Sequence, residues 1–222
     1  METMKQIMYG VTDFARIRTE NGYFVDRTAL IRELEKTSYA MFLRPRRFGK
    51  SLLCAILQAY YDSDYAGRVE ALFGGLDIGR EPTGEQGKYL WLHFNFSAVE
   101  KRADRVEASF DAYSCDVIDE FAARHAAQLP AGAAAAIRDR RTCHEKLNAL
   151  TTKLMGSGVR LYVCIDEYDN FTNTILAESR DRYEALCHGE GFFKQFFNEL
   201  KLATTGTDAP VTRLFVTGVT PV

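Results

Sequence analysis

The segment FLRPRRFGKSLL, residues 42–53, limits the possible folds of this chain more than any other. A run of apolar residues, Tyr39 to Leu43, leads into it, and a tight, arginine-rich stretch with Gly49 follows that run. The pattern predicts a buried strand and a short loop, because apolar residues then recur at the spacing of a helix. Those helical positions are Leu52, Leu53, Ile56, Leu57, Tyr60 and Tyr61.

A glycine-containing loop between a strand and a helix is typical of phosphate binding. Backbone N–H groups of such a loop surround phosphate oxygens, and the start of the helix adds partial positive charge. We expect Lys50 to reach the β- and γ-phosphates and Ser51 to hold Mg²⁺ through its hydroxyl. Gly49 is expected to leave space for the phosphate. The predicted nucleotide contacts are Arg46, Arg47, Phe48, Gly49, Lys50, Ser51 and Leu52.

The loop departs from the pattern G-x-x-x-x-G-K-[ST] at its first position, where Arg44 replaces glycine. Arg44, Arg46 and Arg47 would neutralise phosphate charge, dock the nucleotide or only stabilise the loop. Gly-Lys-Ser alone is also compatible with an ordinary helix start that has a serine in its first turn. The loop therefore needs support from elsewhere in the chain.

A second segment, LYVCIDEYDN at residues 161–170, supplies that support. Its continuous apolar run predicts a strand buried on both faces of a parallel sheet, and the run ends in Asp166 and Glu167. Ligands of α/β sheets bind at the carboxyl ends of the strands. We expect Asp166 to hold Mg²⁺ through its water shell and Glu167 to orient and deprotonate an attacking water. The alternative is a strand that ends in a solvated acidic turn.

A third apolar run, Arg213 to Val219, predicts another buried strand with Thr217 near its end. Thr217 is placed to sense a γ-phosphate or to position the water, although threonine is also simply a good strand former. The predicted catalytic residues are Glu167, Lys50 and Thr217, and the predicted metal ligands are Ser51 and Asp166.

These segments, in their order and spacing, resemble the AAA-ATPase-like domain of bacterial and archaeal proteins. The resemblance includes YGVTDFARIRTENGYFVDRTALIREL, FLRPRRFGKSLL, IDEYDN and FVTGVTPV, and arginine in place of the first glycine is a habit of that family. It implies an ATPase that uses ATP and Mg²⁺, with a three-layer α/β P-loop fold of the additional-strand class and a mostly parallel sheet. Gly49, Lys50 and Ser51 match Walker A, and Asp166 and Glu167 match Walker B. Asp26 matches a recurrent segment, GYFVDRT, and its role does not follow from the sequence.

The resemblance also sets expectations for the domain and its partners. We expect one domain over residues 1–222, with residues 1–37 as its N-terminal segment and with an incomplete C-terminus, because relatives continue into a lid. Self-association or a nuclease-like C-terminal domain is the implied partner. Glu199, Leu200 and Lys201 resemble a nuclease motif but fall in a predicted helix. A module that holds nucleotide with little turnover is the other alternative.

Net charge, cysteines and the length of apolar runs bear on the partners and the compartment of the protein. A formal net charge of −2 gives no electrostatic argument for bulk nucleic-acid or membrane binding, and it leaves nucleic-acid binding open. Five widely spaced cysteines without a C-x-x-C pair suggest neither a disulfide framework nor a zinc site, and favour the cytoplasm. No apolar run reaches the roughly 18 residues that span a membrane. The glycine-rich segment 74–88 is expected to form a surface loop near the nucleotide.

Overall fold

The computed structural model describes residues 4–102, 104–187 and 191–221, so residues 1–3 of the N-terminal segment lie outside it. Its centre is a four-stranded sheet in the order β1-β4-β3-β2, and every pairing between these strands is parallel. The predicted α/β fold with a parallel sheet is confirmed. β4 lies between β1 and β3, as the additional-strand class requires. The strands are β1 (Tyr39–Leu43), β2 (Leu90–Asn95), β3 (Leu161–Asp166) and β4 (Val211–Gly218).

Helices fill the connections between the strands. In chain order they are α1 (Phe14–Thr19), α2 (Leu30–Glu35), α3 (Lys50–Tyr61), α4 (Val69–Phe73), α5 (Asp77–Arg80), α6 (Val106–Arg124), α7 (Ala133–Arg138), α8 (Cys143–Leu154), α9 (Asn170–Glu178), α10 (Arg180–Cys187) and α11 (Phe192–Ala203). Two short 3₁₀ turns cover Ser63–Arg68 and Phe96–Ala98. Within the described ranges, no helix is long and apolar enough to cross a membrane.

The sheet is covered on both faces because successive side chains of a strand point to opposite sides. All six residues of β3 are buried. Tyr162 and Cys164 pack in a core that includes α3, whereas Val163 and Ile165 pack in a second core with α6, α8 and α11. The domain therefore has three layers, with helices on each side of the sheet. This double burial explains why the β3 segment is continuously apolar rather than alternating.

The N-terminal segment packs on the α3 side of the sheet. Phe14 of α1 is fully buried, and its ring lies 4.9 Å from that of Phe73 and 5.3 Å from that of Phe24, between centroids. Ile31 of α2 joins the same core. These contacts hold α1 and α2 against the core that includes α3.

The expected position of the segment 74–88 near the nucleotide is wrong for its second half. Its residues 77–80 form α5, and residues 81–88 lead into Tyr89, which directly precedes β2. Glu85 accepts a hydrogen bond from Arg160, 2.9 Å away, which precedes β3. In a parallel sheet, segments that precede strands lie at the amino edge, whereas the loop after β1 lies at the carboxyl edge. The two loops are therefore at opposite ends of the sheet.

The strand register brings the carboxyl ends together. Phe42 of β1 pairs with Thr217 of β4, Ile165 of β3 pairs with Val216 of β4, and Asn95 of β2 pairs with Asp166 of β3. Residues that are far apart in sequence consequently meet at one edge of the sheet, next to the start of α3.

Candidate functional site

The loop from Arg44 to Gly49 joins β1 to α3 at the carboxyl edge of the sheet. Gly49 precedes the helix with φ 76° and ψ 20°, a left-handed conformation that glycine adopts without strain. A Cβ built at Gly49 would meet no atom within 4 Å, so the space beside it is open. Among the described residues, no side chain caps the start of α3. Its first N–H groups are therefore available to an anion.

The Lys50 ammonium is buried beneath this loop. Lys50 is only 4% exposed, and its Nζ donates to the carbonyl oxygens of Arg44 at 3.1 Å and Pro45 at 3.4 Å. The same Nζ lies 3.7 Å from Oε1 of Glu167. Burying a charge this deeply is costly unless polar groups compensate it. The loop carbonyls and the carboxylate provide that compensation.

The three loop arginines point outward instead. Arg44, Arg46 and Arg47 are all exposed. The Arg44 guanidinium lies 5.6 Å from the centre of the Phe42 ring, and the Arg44 backbone N–H donates to the Gly218 carbonyl oxygen at 3.0 Å. Arg47 has a φ of 67°, which is unusual for a residue other than glycine.

Asp166 connects the start of α3 to β4. Its carboxylate is 1% exposed and accepts a hydrogen bond from Ser51 Oγ at 2.6 Å on one oxygen. The Thr217 hydroxyl donates to the other oxygen. The structure thus brings together both predicted metal ligands and one predicted catalytic residue, from three separate elements.

The oxygen atoms of Ser51 and Asp166 are suitable ligands for Mg²⁺, which binds oxygen and keeps several of its waters. Ser51 and Asp166 provide one oxygen of each kind. They also line a cavity of about 300 Å³, together with Asp13, His93 and Asn95. The cavity leaves room for the waters of a hydrated ion, so the residues present fit the predicted metal.

Glu167 follows β3 in a strained backbone conformation. Its φ is 56°, and its backbone N–H donates to Thr217 Oγ1 at 3.4 Å. Left-handed φ values for residues other than glycine cluster at functional sites, where surrounding structure enforces them. Here the strain turns the chain sharply at the strand end, and the carboxylate lies beside Lys50.

Asp169 has a structural role that the sequence did not indicate. One oxygen of its buried carboxylate accepts from the backbone N–H groups of Val219 at 2.9 Å and Thr220 at 2.7 Å. Its other oxygen has no partner among the described residues. A Cβ at Gly218 would lie 2.6 Å from that second oxygen, so glycine is required there. The segments IDEYDN and FVTG therefore pack directly against each other at the carboxyl edge of the sheet.

A cluster of one histidine and two cysteines lies next to Asp166, at the strand position two residues earlier, where His93 of β2 pairs with Cys164 of β3. The possible ligand atoms of Cys54, His93 and Cys164 are within 4.8 Å of one another. Burial lowers the pKa of the His93 imidazole, against the opposing effect of Asp166, and burial raises the pKa of the Cys164 thiol well above its ordinary value. Sequence spacing did not indicate this cluster, because α3, β2 and β3 each contribute one member. The three side chains pack against one another between α3, β2 and β3, beneath the site.

The nuclease-like residues are not at this edge. Glu199 lies within α11, as the sequence predicts, and its carboxylate accepts from Asn148 Nδ2 at 3.2 Å. His144 Nδ1 lies 3.7 Å from the same carboxylate. Both partners belong to α8, so Glu199 is used in packing these two helices.

Comparison with known proteins assigns a family over most of the chain. A family model named AAA-ATPase-like and described as a predicted AAA-ATPase matches residues 8–222. No curated protein and no solved structure gives a significant match.

Proposed function

Because the chain belongs to the AAA-ATPase-like family, we propose that it binds ATP together with Mg²⁺ and hydrolyses it to ADP and phosphate. The observation that carries this proposal is the position of Asp166. Its carboxylate contacts the Ser51 and Thr217 hydroxyls, beside the ion pair of Lys50 and Glu167. Phosphoryl transfer needs a carboxylate that can hold the metal, an ammonium at the start of a helix and a second carboxylate that can act on water. Asp166, Lys50 and Glu167 are the groups proposed for these roles.

The phosphates would lie over the loop and the start of α3. The free N–H groups of the helix and the Lys50 ammonium supply positive charge there. Ser51 and Asp166 would hold Mg²⁺, which when bound supplies neutralisation of charge on the β- and γ-phosphate oxygens.

Glu167 is the proposed general base. It orients a water, and the water oxygen forms a bond to the γ-phosphorus while the bond from that phosphorus to the bridging oxygen breaks. ADP leaves with the electron pair, and the water proton passes to the Glu167 carboxylate. In the structure, the Lys50 ammonium forms an ion pair with this carboxylate, at 3.7 Å from Nζ to Oε1. Phosphate oxygens would compete for Lys50, and Glu167 would then be free to act on water.

Thr217 is proposed to link the two halves of the site. Its hydroxyl contacts Asp166 and accepts from the Glu167 backbone N–H. A single side chain therefore positions both the metal-holding carboxylate and the proposed base. Its role as a direct γ-phosphate sensor, expected from the sequence, is part of the same proposal.

A nucleotide switch with little turnover is the second candidate. Arg44 stands where the usual phosphate loop has glycine, and its side chain is exposed on that loop. This substitution would favour retention of nucleotide over release. Binding and turnover measured on the same sample distinguish the two candidates.

The test is phosphate release from ATP with Mg²⁺ and with EDTA. We expect Mg²⁺-dependent release by the wild type, and a decrease of about 100-fold or more in Glu167→Gln with ATP binding retained. Glu178→Gln, an exposed glutamate at the end of α9, is the matched control and should match the wild type. Tight ATP binding without release by the wild type would favour the switch. Full turnover by Glu167→Gln would contradict the assignment of the base.

A further inference from the structure

The cluster of Cys54, His93 and Cys164 lies next to the pair of Ser51 and Asp166. Cys54 comes three residues after Ser51 on α3, and Cys164 comes two residues before Asp166 on β3. Residues at these spacings lie on the same face of a helix and of a strand. The two elements that supply oxygen atoms to the proposed Mg²⁺ position therefore supply sulfur atoms one step further along.

The three side chains have the spacing of a metal site. Their possible ligand atoms, two thiol sulfurs and one imidazole nitrogen, lie within 4.8 Å of one another. In a tetrahedral zinc site, bonds of about 2.3 Å to sulfur and about 2.0–2.1 Å to nitrogen place the ligand atoms roughly 3.5–3.8 Å apart. Side-chain movements of about 1 Å would bring the atoms of the cluster to these separations.

His93 has a ring nitrogen that lacks a hydrogen-bond partner. Its Nε2 is buried and has no donor or acceptor within reach among the described residues. Buried polar atoms are nearly always paired, and an exception calls for an explanation such as an ion. Buried cysteines alone need no such explanation, because a thiol packs as a small apolar group. The unpaired histidine nitrogen beside two thiols is the observation that points to a ligand.

The cluster borders a space from which an ion and a water can reach it. His93 lines the cavity of about 300 Å³ that Ser51 and Asp166 also line. Zinc bound by three protein ligands commonly takes a water as its fourth ligand. The cavity has room for that water on the side of His93.

The kind of ligand selects the kind of metal. Thiolate sulfur and imidazole nitrogen suit Zn²⁺, whereas Mg²⁺ requires oxygen ligands. Binding would release the two thiol protons to solvent, and the two thiolates would cancel the charge of Zn²⁺. An ion that is neutralised in this way can be buried, whereas an isolated buried charge is very costly. Ligand chemistry would thus assign different metals to the two neighbouring positions.

We propose that Cys54, His93 and Cys164 bind one Zn²⁺ ion, which joins α3 to β2 and β3. The role of the ion is structural, because it holds the helix that carries Lys50 and Ser51 against the strands behind it. The inference is independent of the proposed function, since the same three ligands would bind zinc in a chain that does not hydrolyse ATP.

The experiment titrates the reduced, metal-free chain with Co²⁺, a coloured substitute for Zn²⁺, in excess Mg²⁺. The Mg²⁺ competes for oxygen sites such as the one proposed at Ser51 and Asp166. Co²⁺ that is bound by thiolates shows a sulfur-to-cobalt charge-transfer band, which oxygen and nitrogen ligands do not produce. The other group of possible ligands among the described residues contains no thiol and cannot give this band. It consists of Asp62, Asp64 and His125.

Cys54→Ala, Cys164→Ala and His93→Gln each remove one ligand. Cys143→Ala is the matched control, because Cys143 is also buried and belongs to no such group among the described residues. Loss of an outer partner of a metal ligand costs about 10- to 100-fold in affinity, so loss of a ligand itself should cost about 100-fold or more. Cys143→Ala should bind the metal as tightly as the wild type.

We expect one Co²⁺ per wild-type chain with the charge-transfer band, and loss of the band when Zn²⁺ displaces Co²⁺. A wild type without this band would overturn the proposal. A band that persists at full strength in Cys54→Ala and Cys164→Ala would place the metal on other cysteines, which would also overturn it.

Thermal unfolding of the wild type is a second measurement, which does not require the variants to fold. Free Zn²⁺ at about 100 times its Kd should raise Tm by about 5–10 °C, because the ion binds the folded chain. Excess EDTA should reverse the increase. A Tm that Zn²⁺ leaves unchanged would contradict a zinc site in the folded chain.

Discussion

The ammonium of Lys50 lies 3.7 Å from a carboxylate oxygen of Glu167. The first residue begins the helix after the glycine-containing loop, and the second follows the buried strand β3. The pair shows that the two segments singled out in the sequence meet in one site. It also balances the charge of a lysine that is almost completely buried. A bound phosphate would replace Glu167 as the partner of this lysine, which links nucleotide binding to release of the proposed base.

Glu167 is held in a conformation that costs stability. Its φ of 56° is unfavourable for a residue with a Cβ, by about 1–2 kcal/mol. We therefore expect Glu167→Gly to be more stable than Glu167→Ala by about 1 kcal/mol, because both variants lack the carboxylate and only glycine accepts this backbone. Urea unfolding of the two variants measures the difference. Equal stability, or a more stable alanine variant, would show that the backbone at this position is not strained.

Thr217→Val should reduce activity while the protein stays folded. The substitution keeps the shape of the side chain but removes the hydroxyl that contacts Asp166. Groups that orient a metal-holding carboxylate typically contribute about 10- to 100-fold to activity, and we expect a loss of phosphate release in that range. The free energy of unfolding should fall by about 1–3 kcal/mol, because the buried Asp166 carboxylate loses a hydrogen bond.

Thr212→Val is the control for this experiment. Thr212 lies on the same strand and its hydroxyl donates to the Leu161 carbonyl oxygen at 3.4 Å, at the opposite end of β4. Because its hydroxyl bonds to an uncharged carbonyl, Thr212→Val should lose at most about 1 kcal/mol of stability and keep its activity. Equal activity of the two variants would show that Thr217 serves only as a strand former.

The partly buried His93 predicts a dependence of stability on pH. Burial lowers its pKa from the ordinary value of 6.5, so the unfolded chain takes up a proton at a higher pH than the folded one. This contribution to stability is complete above about pH 6.5 and is lost as the pH falls through the folded-state pKa. Urea unfolding between pH 8 and pH 5 measures it. His93→Gln should show a smaller decrease over this range, and an unchanged decrease would exclude His93 as the source.

The fold and the centre of the site could be predicted because their signals are local. Apolar runs define β1, β3 and β4, and residues at the ends of parallel strands must lie at one edge of the sheet. This rule correctly places Lys50, Ser51, Asp166, Glu167 and Thr217 together.

Features that depend on long-range packing could not be predicted. The hydrogen bond between Asp26 and the Asp77 N–H joins residues 51 positions apart, and no pattern in either segment indicates it. A cavity of about 380 Å³ beside Phe48 has walls from distant parts of the sequence, since Tyr23 and Val25 line it together with Leu52 of α3. The expected position of the second half of the segment 74–88 was wrong for a related reason, since glycine content shows where a loop forms but not at which edge of the sheet.

Equilibrium binding of labelled ATP, with and without Mg²⁺, tests the central claim most directly. It compares the wild type with Lys50→Met, which removes the buried ammonium and keeps an apolar side chain in its place, and with Lys153→Met, an exposed lysine on α8. The proposed ATP site predicts Mg²⁺-dependent binding by the wild type and by Lys153→Met, and a loss of about 100-fold in affinity for Lys50→Met. Binding of ATP by Lys50→Met as tightly as by the wild type would contradict it.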